Sequence, residues 1–289
     1  MATIVVTGGS SGVGLAAAKQ FAARGDEVIL VGRDQRRLSA AVAEVRAITG
    51  TEPANFRTDF ESLTEVRELA AALKKTVELK KTEETKKAGE TGKTGESSGR
   101  IDVLVNNAGG MVGDYRRTVD GFEATMQGNH LAPFLLTTLL RDELRDARVV
   151  NTASRAHMRG VPDPANLAGD AANYRSWTAY GAGKASNVLF AAEAARRWPD
   201  ILSVSFHPGV VRTNFGAGRV TRFFYRYTPF LVTPEKAGEL LVWLATAPRD
   251  ELVNGGYYVG REPVRPAPHA RNPELAAELW KASTEAVKG

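Results

Sequence analysis

Short runs of β-branched residues alternate with longer helical patterns along the whole chain, and this alternation limits the fold more than any other feature. Strands that alternate with helices require right-handed β-α-β crossovers, which build a parallel sheet with helices on both faces. The sequence therefore predicts a single doubly wound α/β domain over residues 1–289. The predicted strands are 3–7, 27–31, 53–57, 101–105, 148–152, 201–206 and 256–259, and the predicted helices are 13–24, 35–49, 62–79, 118–144, 178–198, 234–247 and 273–287.

The composition supports a globular protein without cysteine chemistry or a metal centre. Hydrophobic residues make up 43% of the chain and charged residues 25%, which is ordinary for a folded domain. The absence of cysteine excludes disulfides, thiolate metal sites and a cysteine nucleophile. The four histidines show no metal-ligand spacing, so no catalytic metal is predicted.

The N-terminal sequence predicts a cytoplasmic location. Met1-Ala2-Thr3 leads directly into a strand pattern, with no charged region or apolar core of a signal peptide. No apolar stretch reaches the roughly 18 residues that a membrane-spanning helix needs. We therefore expect no integral membrane segment.

The basic charge of the chain is concentrated in one segment. The net charge is +5, and residues 74–100 hold seven lysines and one arginine against five glutamates. Because the basicity is local, no nucleic-acid partner is predicted. Within this segment, residues 80–99 contain too little apolar surface to offset the entropy of ordering, which predicts a flexible low-complexity insertion. It is either a solvated linker or a basic tether for an anionic partner.

A glycine-rich loop after the first predicted strand indicates a dinucleotide site. Glycines at this point permit a tight turn and let a pyrophosphate approach the free N–H groups of the next helix. The loop does not end in Gly-Lys-Ser/Thr, which argues against a nucleoside triphosphate site. The predicted cofactor contacts are Gly8, Ser10, Ser11, Gly12, Val13 and Gly14.

The residue after the second predicted strand favours NADP(H) over NAD(H). An NAD-binding fold places an acid there to hold the ribose hydroxyls, whereas this chain has Arg33. A guanidinium pairs well with a 2′-phosphate. The alternative is that Arg33, next to Asp34, is an ordinary surface residue.

Tyr180 and Lys184 lie one helical turn apart, which places an ammonium group beside a phenol. A nearby cation favours the phenolate and lowers the pKa of the tyrosine, so the pair indicates acid/base chemistry. The alternative is a half-buried ring covered by the stem of the lysine.

Four motifs in order resemble the short-chain dehydrogenase/reductase family: Thr7 to Gly14, Asn106-Asn107-Ala108-Gly109, Ser154, and Tyr180 with Lys184. The runs AYGAGKASNVLF, HPGVVRTN and NPELAAELW are similar to its retinol-dehydrogenase-like group. The resemblance implies a Rossmann-type domain with strand order 3-2-1-4-5-6-7. It also implies an oxidoreductase that transfers a hydride between a nicotinamide cofactor and an alcohol or carbonyl group.

The resemblance also implies roles for individual residues. Ser154 would bind the substrate oxygen, Tyr180 would transfer its proton, Lys184 would tune the tyrosine and bind the ribose, and Asn129 would hold a water. Structural roles are the alternatives: Ser154 would cap a turn, Asn129 would bond backbone groups inside a helix, and Asp59, an implied cofactor contact, would cap a helix. The further implied cofactor contacts are Asp59, Phe60, Asn106, Ala108, Gly109, Pro208, Gly209 and Thr213.

The substrate side is predicted in residues 212–232, where aromatic residues are interleaved with arginines. The resemblance makes this a substrate-covering segment, and its aromatic content suggests a lipophilic substrate of retinal, steroid or aliphatic type. A membrane-surface helix, and a lid or oligomer interface that packs its aromatic residues inward, are the alternatives. The resemblance separately implies a homodimer or homotetramer that assembles through long helices such as 118–144 and 178–198. A related epimerase and a non-catalytic NADP-binding regulatory protein are the rival functions.

Overall fold

The computed structural model describes residues 1–91, 99–211 and 231–288, with side chains left out for 83–91. Within these ranges eight strands form one sheet in the order β3-β2-β1-β4-β5-β6-β7-β8. All neighbouring strands are parallel except the last pair, which is antiparallel. The predicted doubly wound domain and its strand order are confirmed, and the short edge strand β8 is an addition to them.

The strands follow the β-branched runs of the sequence, and most are buried on both faces. Along β1, Ile4 and Val6 pack into one hydrophobic cluster while Val5 packs into the other, as the two-residue period of a strand requires. The sheet therefore separates two cores. The strands are β1 (Thr3–Thr7), β2 (Glu27–Gly32), β3 (Asn55–Arg57), β4 (Val103–Asn106), β5 (Arg148–Thr152), β6 (Leu202–His207), β7 (Tyr257–Val259) and β8 (Glu262–Pro263).

Helices cover both faces of the sheet. One layer holds α1, α2 and α7, and the other holds α3, α5, α6 and α8. The described helices are α1 (Gly12–Ala23), α2 (Gln35–Thr49), α3 (Leu63–Thr91), α4 (Ala124–Met126), α5 (Ala132–Leu139), α6 (Ser176–Arg197), α7 (Pro234–Thr246) and α8 (Pro273–Ala286).

The predicted helix 118–144 was wrong at both ends. The chain turns at Thr118–Phe122, and the helix begins only where the Glu123 carboxylate accepts the N–H groups of Thr125 and Met126, each at 2.8 Å. A π-helical turn, Gln127–Leu131, joins α4 to α5, and α5 ends at Leu139. Pro133, which has no N–H to donate, is the second residue of α5.

The predicted helix 62–79 is longer in the structure, where α3 continues to Thr91. The first part of the predicted insertion 80–99 is thus helical. Its lysine, glutamate and alanine residues are good helix formers, which accounts for this extension. Lys80 pairs with Glu27 at the start of β2. Residues 92–98 lie outside the described residues, and the mobility of the insertion stays a prediction.

The predicted substrate-covering segment 212–232 is described only at its C-terminal end, residues 231–232. Residues 212–230, and with them Thr213, lie outside the described residues. A parallel β-bridge pairs Val211, the residue before the segment, with Val232, its last residue. Across the described ranges, no helix combines the length and apolar character that crossing a membrane requires.

Candidate active site

The carboxyl ends of the parallel strands meet at one edge of the sheet, where the glycine loop joins β1 to α1. A Cβ on Gly14 would lie 2.4 Å from the carbonyl oxygen of Gly8, so only glycine allows α1 to pack this closely on the loop. Ser11, the N-cap residue, forms no side-chain cap, and no acid lies in the first turn. The first N–H groups of α1 are thus available to an anion, which fits the pyrophosphate of a dinucleotide.

The remaining loop residues lie around this helix start. Gly12, Val13 and Gly14 form its first turn. The side chain of Ser10 lies against Gly32 at the end of β2, because a Cβ on Gly32 would come 2.8 Å from Ser10 Oγ. The structure therefore brings all the predicted loop contacts together at the ends of β1 and β2.

Thr7 and Asn107 tie the loop to the next two strands. Thr7 Oγ1 accepts the N–H groups of Asn107 and Ala108, each at 3.0 Å, and donates to the carbonyl of Val105 at 2.9 Å. Asn107 Nδ2 donates to the Thr7 carbonyl at 3.1 Å, and its Oδ1 accepts from Thr152 Oγ1 at 3.3 Å. Both residues belong to the sequence motifs described above, and the structure shows that their side chains link the glycine loop to β4 and β5.

The side chain of Asn106, a predicted cofactor contact, lies inside the sheet. Its Nδ2 donates to Thr137 Oγ1 and Asn151 Oδ1, both at 3.0 Å, and the residue is 2% exposed. The structure does not bring this side chain to the open edge. Ala108 is held there by Thr7, and Gly109 (φ 144°) lies against the side-chain carbonyl of Asn129.

Tyr180 and Lys184 are both buried on α6, with Lys184 Nζ 5.5 Å from the centre of the Tyr180 ring. Lys184 Nζ donates to the main-chain carbonyl of Thr152 at 2.9 Å, and Asn187 Nδ2 donates to the same oxygen at 3.1 Å. Burial lowers the pKa of Lys184 to about 7. The predicted tyrosine and lysine pair is thus placed directly at the end of β5.

Ser154 follows β5 and begins a 3-10 turn, Arg155–Arg159. Its Oγ accepts the N–H of Ala156 at 3.1 Å, so the hydroxyl caps the turn and still has a proton to donate. The turn fits against α6 because Gly181 lacks a side chain: a Cβ there would lie 2.7 Å from the Ala156 carbonyl. Ser154 and Tyr180 are therefore held on two packed elements.

His157 holds the main chain of Ser154. Its N–H and its Nδ1 approach the Ser154 carbonyl at 3.0 and 2.7 Å, and its Nε2 accepts the N–H of Ala267 at 3.1 Å. The Nδ1 therefore carries the proton, and burial lowers the pKa of His157, which favours this neutral form. The sequence contained no signal for this link to the C-terminal segment.

Asn129 lies on the π-helical turn and faces Gly183, the residue of α6 that precedes Lys184. Its Nδ2 donates to the carbonyls of Gly110 at 2.7 Å and Thr125 at 2.8 Å, while its buried Oδ1 has no partner among the described residues. A Cβ on Gly183 would lie 3.2 Å from Asn129 Cβ, so this turn packs directly on α6. The free acceptor suits a bound water.

On the far side of the glycine loop, the guanidinium of Arg33 is exposed at the end of β2. It lies 3.2 Å from Glu61 Oε1 and 4.0 Å from Asp59 Oδ1. Asp59 Oδ1 also accepts the N–H of Glu61 at 3.1 Å. Arg33 and Asp59 are thus brought together, whereas the ring of Phe60 packs in the hydrophobic core and is 7% exposed.

Pro208 and Gly209 follow β6 and line a cavity of about 250 Å³ with residues of α7 and β7. Among the described residues that line this cavity, none belongs to the glycine loop or to the group of Ser154, Tyr180 and Lys184. The structure places these two residues at the same sheet edge, directly after His207, whose Nδ1 accepts the N–H of Arg155 at 3.4 Å.

Comparison with known proteins gives matches along almost the whole chain. A family model described as short chain dehydrogenase matches residues 2–82 and 76–221. A candidate daunorubicin C-13 ketoreductase of Streptomyces sp. (strain C5) is 44% identical over 285 residues, covering 99% of this chain and 92% of that protein. Human retinol dehydrogenase 13 is 34% identical over 299 residues, covering 99% and 84% respectively.

Among solved structures, a protein of Mycobacterium paratuberculosis matches with a TM-score of 0.75 and 30% sequence identity. The match covers 100% of this chain and 94% of the mycobacterial one.

Proposed function

This chain belongs to the short chain dehydrogenase family, and from that premise we propose that it is an NADP(H)-dependent oxidoreductase that interconverts a lipophilic carbonyl compound and its alcohol. The family confirms the resemblance seen in the sequence motifs, including the likeness to retinol dehydrogenases. The reaction is of the alcohol dehydrogenase or carbonyl reductase type.

One contact carries the proposal: Lys184 Nζ on α6 donates to the carbonyl of Thr152, two residues before Ser154. This bond fixes the helix that bears Tyr180 against the strand end that bears Ser154. Burying a lysine beside a tyrosine costs stability. A non-catalytic nucleotide-binding protein would gain no function in return for this cost, whereas an enzyme uses the pair for proton transfer.

The residues present fit a nicotinamide dinucleotide. The uncapped start of α1 would hold the pyrophosphate, Arg33 would pair with a 2′-phosphate, and Lys184 would hold the nicotinamide ribose. When bound, this cofactor supplies or accepts the hydride. The preference for NADP(H) over NAD(H) rests on Arg33.

The side chains of the site would handle the substrate oxygen and its proton. During reduction, Ser154 Oγ donates a hydrogen bond to the carbonyl oxygen, and the Tyr180 hydroxyl donates the proton that completes the alcohol. The ammonium of Lys184 stabilises the phenolate that remains. We expect a water on Asn129 Oδ1 to return a proton towards Lys184, and alcohol oxidation would run through the same groups in reverse.

Exposed apolar side chains beside Tyr180 support a lipophilic substrate. The ring of Trp177 is 6.2 Å from that of Tyr180, on the same face of α6, and Trp177 is 48% exposed. Met158, on the turn after Ser154, is 58% exposed. The relatives are named for daunorubicin and retinol, which each contain an extended conjugated group. We therefore propose a carbonyl or alcohol substrate that carries such a planar group, with 212–232 covering it.

Tyr180→Phe tests the proposal. This variant keeps the ring but removes the proton, and we expect it to bind NADPH normally while turnover of a panel of lipophilic aldehydes and ketones falls by about 10²- to 10⁴-fold. Tyr257→Phe is the matched control, because its buried hydroxyl has no partner among the described residues. Unchanged turnover in Tyr180→Phe would remove the acid/base role.

Rates with NADPH and NADH test the cofactor assignment, and equal or better use of NADH would count against it. The cytoplasmic location and the assembly into a homodimer or homotetramer stay predictions.

A further inference from the structure

The carboxylate of Glu61 is shared between two arginines. Arg33 Nη1 donates to Glu61 Oε1 at 3.2 Å, and Arg116 Nη1 donates to Glu61 Oε2. The carboxylate side chain is only 18% exposed, whereas the side chains of Arg33 and Arg116 are 64% and 50% exposed. Each guanidinium therefore has an open side that an anion can approach.

The three residues come from three separate connections at one edge of the sheet. Arg33 follows β2, Glu61 follows β3, and Arg116 lies in the connection between β4 and α4. Arg33 also lies 4.0 Å from Asp59. The guanidinium assigned above to the 2′-phosphate is thus already engaged by two carboxylates. Glu61 is ionised at neutral pH, and its hydrogen bond with Arg116, together with the charge of Arg33, lowers its pKa below the ordinary value.

We infer that Glu61 sets the cofactor preference of this chain by competing with the adenosine 2′-phosphate for Arg33, and that Arg116 limits this competition by neutralising Glu61. The inference rests on the proposed function, which places the 2′-phosphate at Arg33. A phosphate that approaches Arg33 either displaces the Glu61 carboxylate or lies beside it and is repelled. In both cases Arg116 keeps the second oxygen of the Glu61 carboxylate paired, which lowers the free-energy cost of bringing the phosphate to Arg33.

Two substitutions change this balance in opposite directions. Glu61→Gln removes the charge but keeps the shape, so it should tighten binding of a 2′-phosphate by about three- to fivefold, the size expected for an exposed ion pair. Arg116→Gln leaves Glu61 with Arg33 as its remaining guanidinium partner, so it should weaken binding of the same ligand by about two- to threefold. Neither change should alter binding of a nucleotide without the 2′-phosphate.

Calorimetric titration with adenosine 2′,5′-bisphosphate and adenosine 5′-monophosphate measures this directly. The ratio of the two dissociation constants is the readout, and the monophosphate also reports whether each variant is folded. Glu52→Gln is the matched control, since Glu52 is an exposed glutamate paired with Arg46 at 3.5 Å and precedes β3 at the opposite edge of the sheet. The gain in Glu61→Gln should shrink as salt is raised, and it should vanish when Arg33→Gln is added.

An unchanged ratio in Glu61→Gln, or equal shifts for both ligands, would overturn the inference. So would a gain that persists without Arg33. The binding readout separates this inference from the proposed function. If the protein turns over carbonyl substrates but the ratio of the two dissociation constants does not shift, only the inference fails. If the ratio shifts but no carbonyl substrate is turned over, only the catalytic proposal fails.

Discussion

Lys184 Nζ donates a 2.9 Å hydrogen bond to the main-chain carbonyl of Thr152, although Lys184 is only 3% exposed. The same ammonium lies 5.5 Å from the centre of the Tyr180 ring. One buried amino group thus joins the tyrosine helix to the strand end before Ser154. The protein retains this contact against the cost of taking an ammonium out of water.

That cost predicts a pH-dependent gain in stability for Lys184→Met. Burial lowers the pKa of Lys184 from 10.5 to about 7, so in the window between these values the unfolded chain binds a proton that the folded chain does not. The stability of the wild type therefore rises with pH across this window. Lys184→Met lacks this dependence, and its advantage should grow as the pH falls through the window, reaching about 2–4 kcal/mol near its lower end.

Denaturant unfolding of both proteins across this pH range provides the measurement, with loss of carbonyl turnover expected in the variant. Parallel stability curves for wild type and Lys184→Met would show that the lysine is not desolvated in the folded protein.

The contact between Gly14 and Gly8 predicts a second effect. Alanine normally stabilises a helix relative to glycine, but a Cβ on Gly14 would lie 2.4 Å from the Gly8 carbonyl and 2.6 Å from Asn107 Nδ2. Gly14→Ala should therefore lower the free energy of unfolding by about 1–3 kcal/mol and weaken NADPH binding, because the loop must move away from α1. Thermal unfolding and NADPH titration measure the two effects.

Gly113→Ala is the control for this substitution, since a Cβ at Gly113 meets nothing within 4 Å. It should leave stability and NADPH binding close to the wild-type values. A Gly14→Ala variant that is as stable as Gly113→Ala and binds NADPH as tightly would contradict the packing argument.

The sequence predicted the sheet because each strand is a short β-branched run whose two faces are both buried, as in β1 with Ile4, Val5 and Val6. It did not predict the π-helical turn at Gln127–Leu131. A π-helical turn adds one residue to an α-helix, and the spacing of apolar side chains does not distinguish it from a regular α-helical turn. The late start of α4 depends on Glu123, whose carboxylate caps the helix after a turn.

The structure brings the turn that Ser154 begins against α6, which carries Tyr180, as the order of the sequence motifs predicted, while the catalytic roles of both residues stay predictions. Adjacent asparagines show the limit: Asn106 points into the sheet, whereas Asn107 ties the glycine loop to Thr152. The Glu61 and Arg116 pair joins residues more than 50 positions apart, and no local pattern marks such a contact.

The buried pair of His130 and Ser283 predicts a specific acid sensitivity. His130 Nε2 lies 2.8 Å from Ser283 Oγ and joins the π-helical turn, next to Asn129, to α8. Burial lowers the pKa of His130 from 6.5 to about 3. Its contribution to stability is therefore complete above the upper value and is lost as the pH falls towards the lower one.

His130→Gln should lose less stability than the wild type on acidification through this range, because no buried imidazole must then take up a proton. A double-mutant cycle with Ser283→Ala should give a coupling of about 1 kcal/mol at neutral pH. Urea unfolding at several pH values measures both quantities. If acid destabilises the variant as much as the wild type, His130 is not the group that responds.

Trp177 provides the last prediction, which concerns the substrate. Its ring is half-exposed and nearly perpendicular to that of Tyr180, so it offers a flat apolar surface beside the Tyr180 ring. Trp177→Ala should raise KM for planar, conjugated ketones by about three- to tenfold, as expected for loss of an aromatic contact, and leave KM for small aliphatic aldehydes unchanged. Trp177→Phe, which retains an aromatic face, should keep most of the affinity. Steady-state kinetics with the two substrate classes measures this difference, and an equal rise in KM for both classes would show that Trp177 supports the helix rather than contacts the substrate.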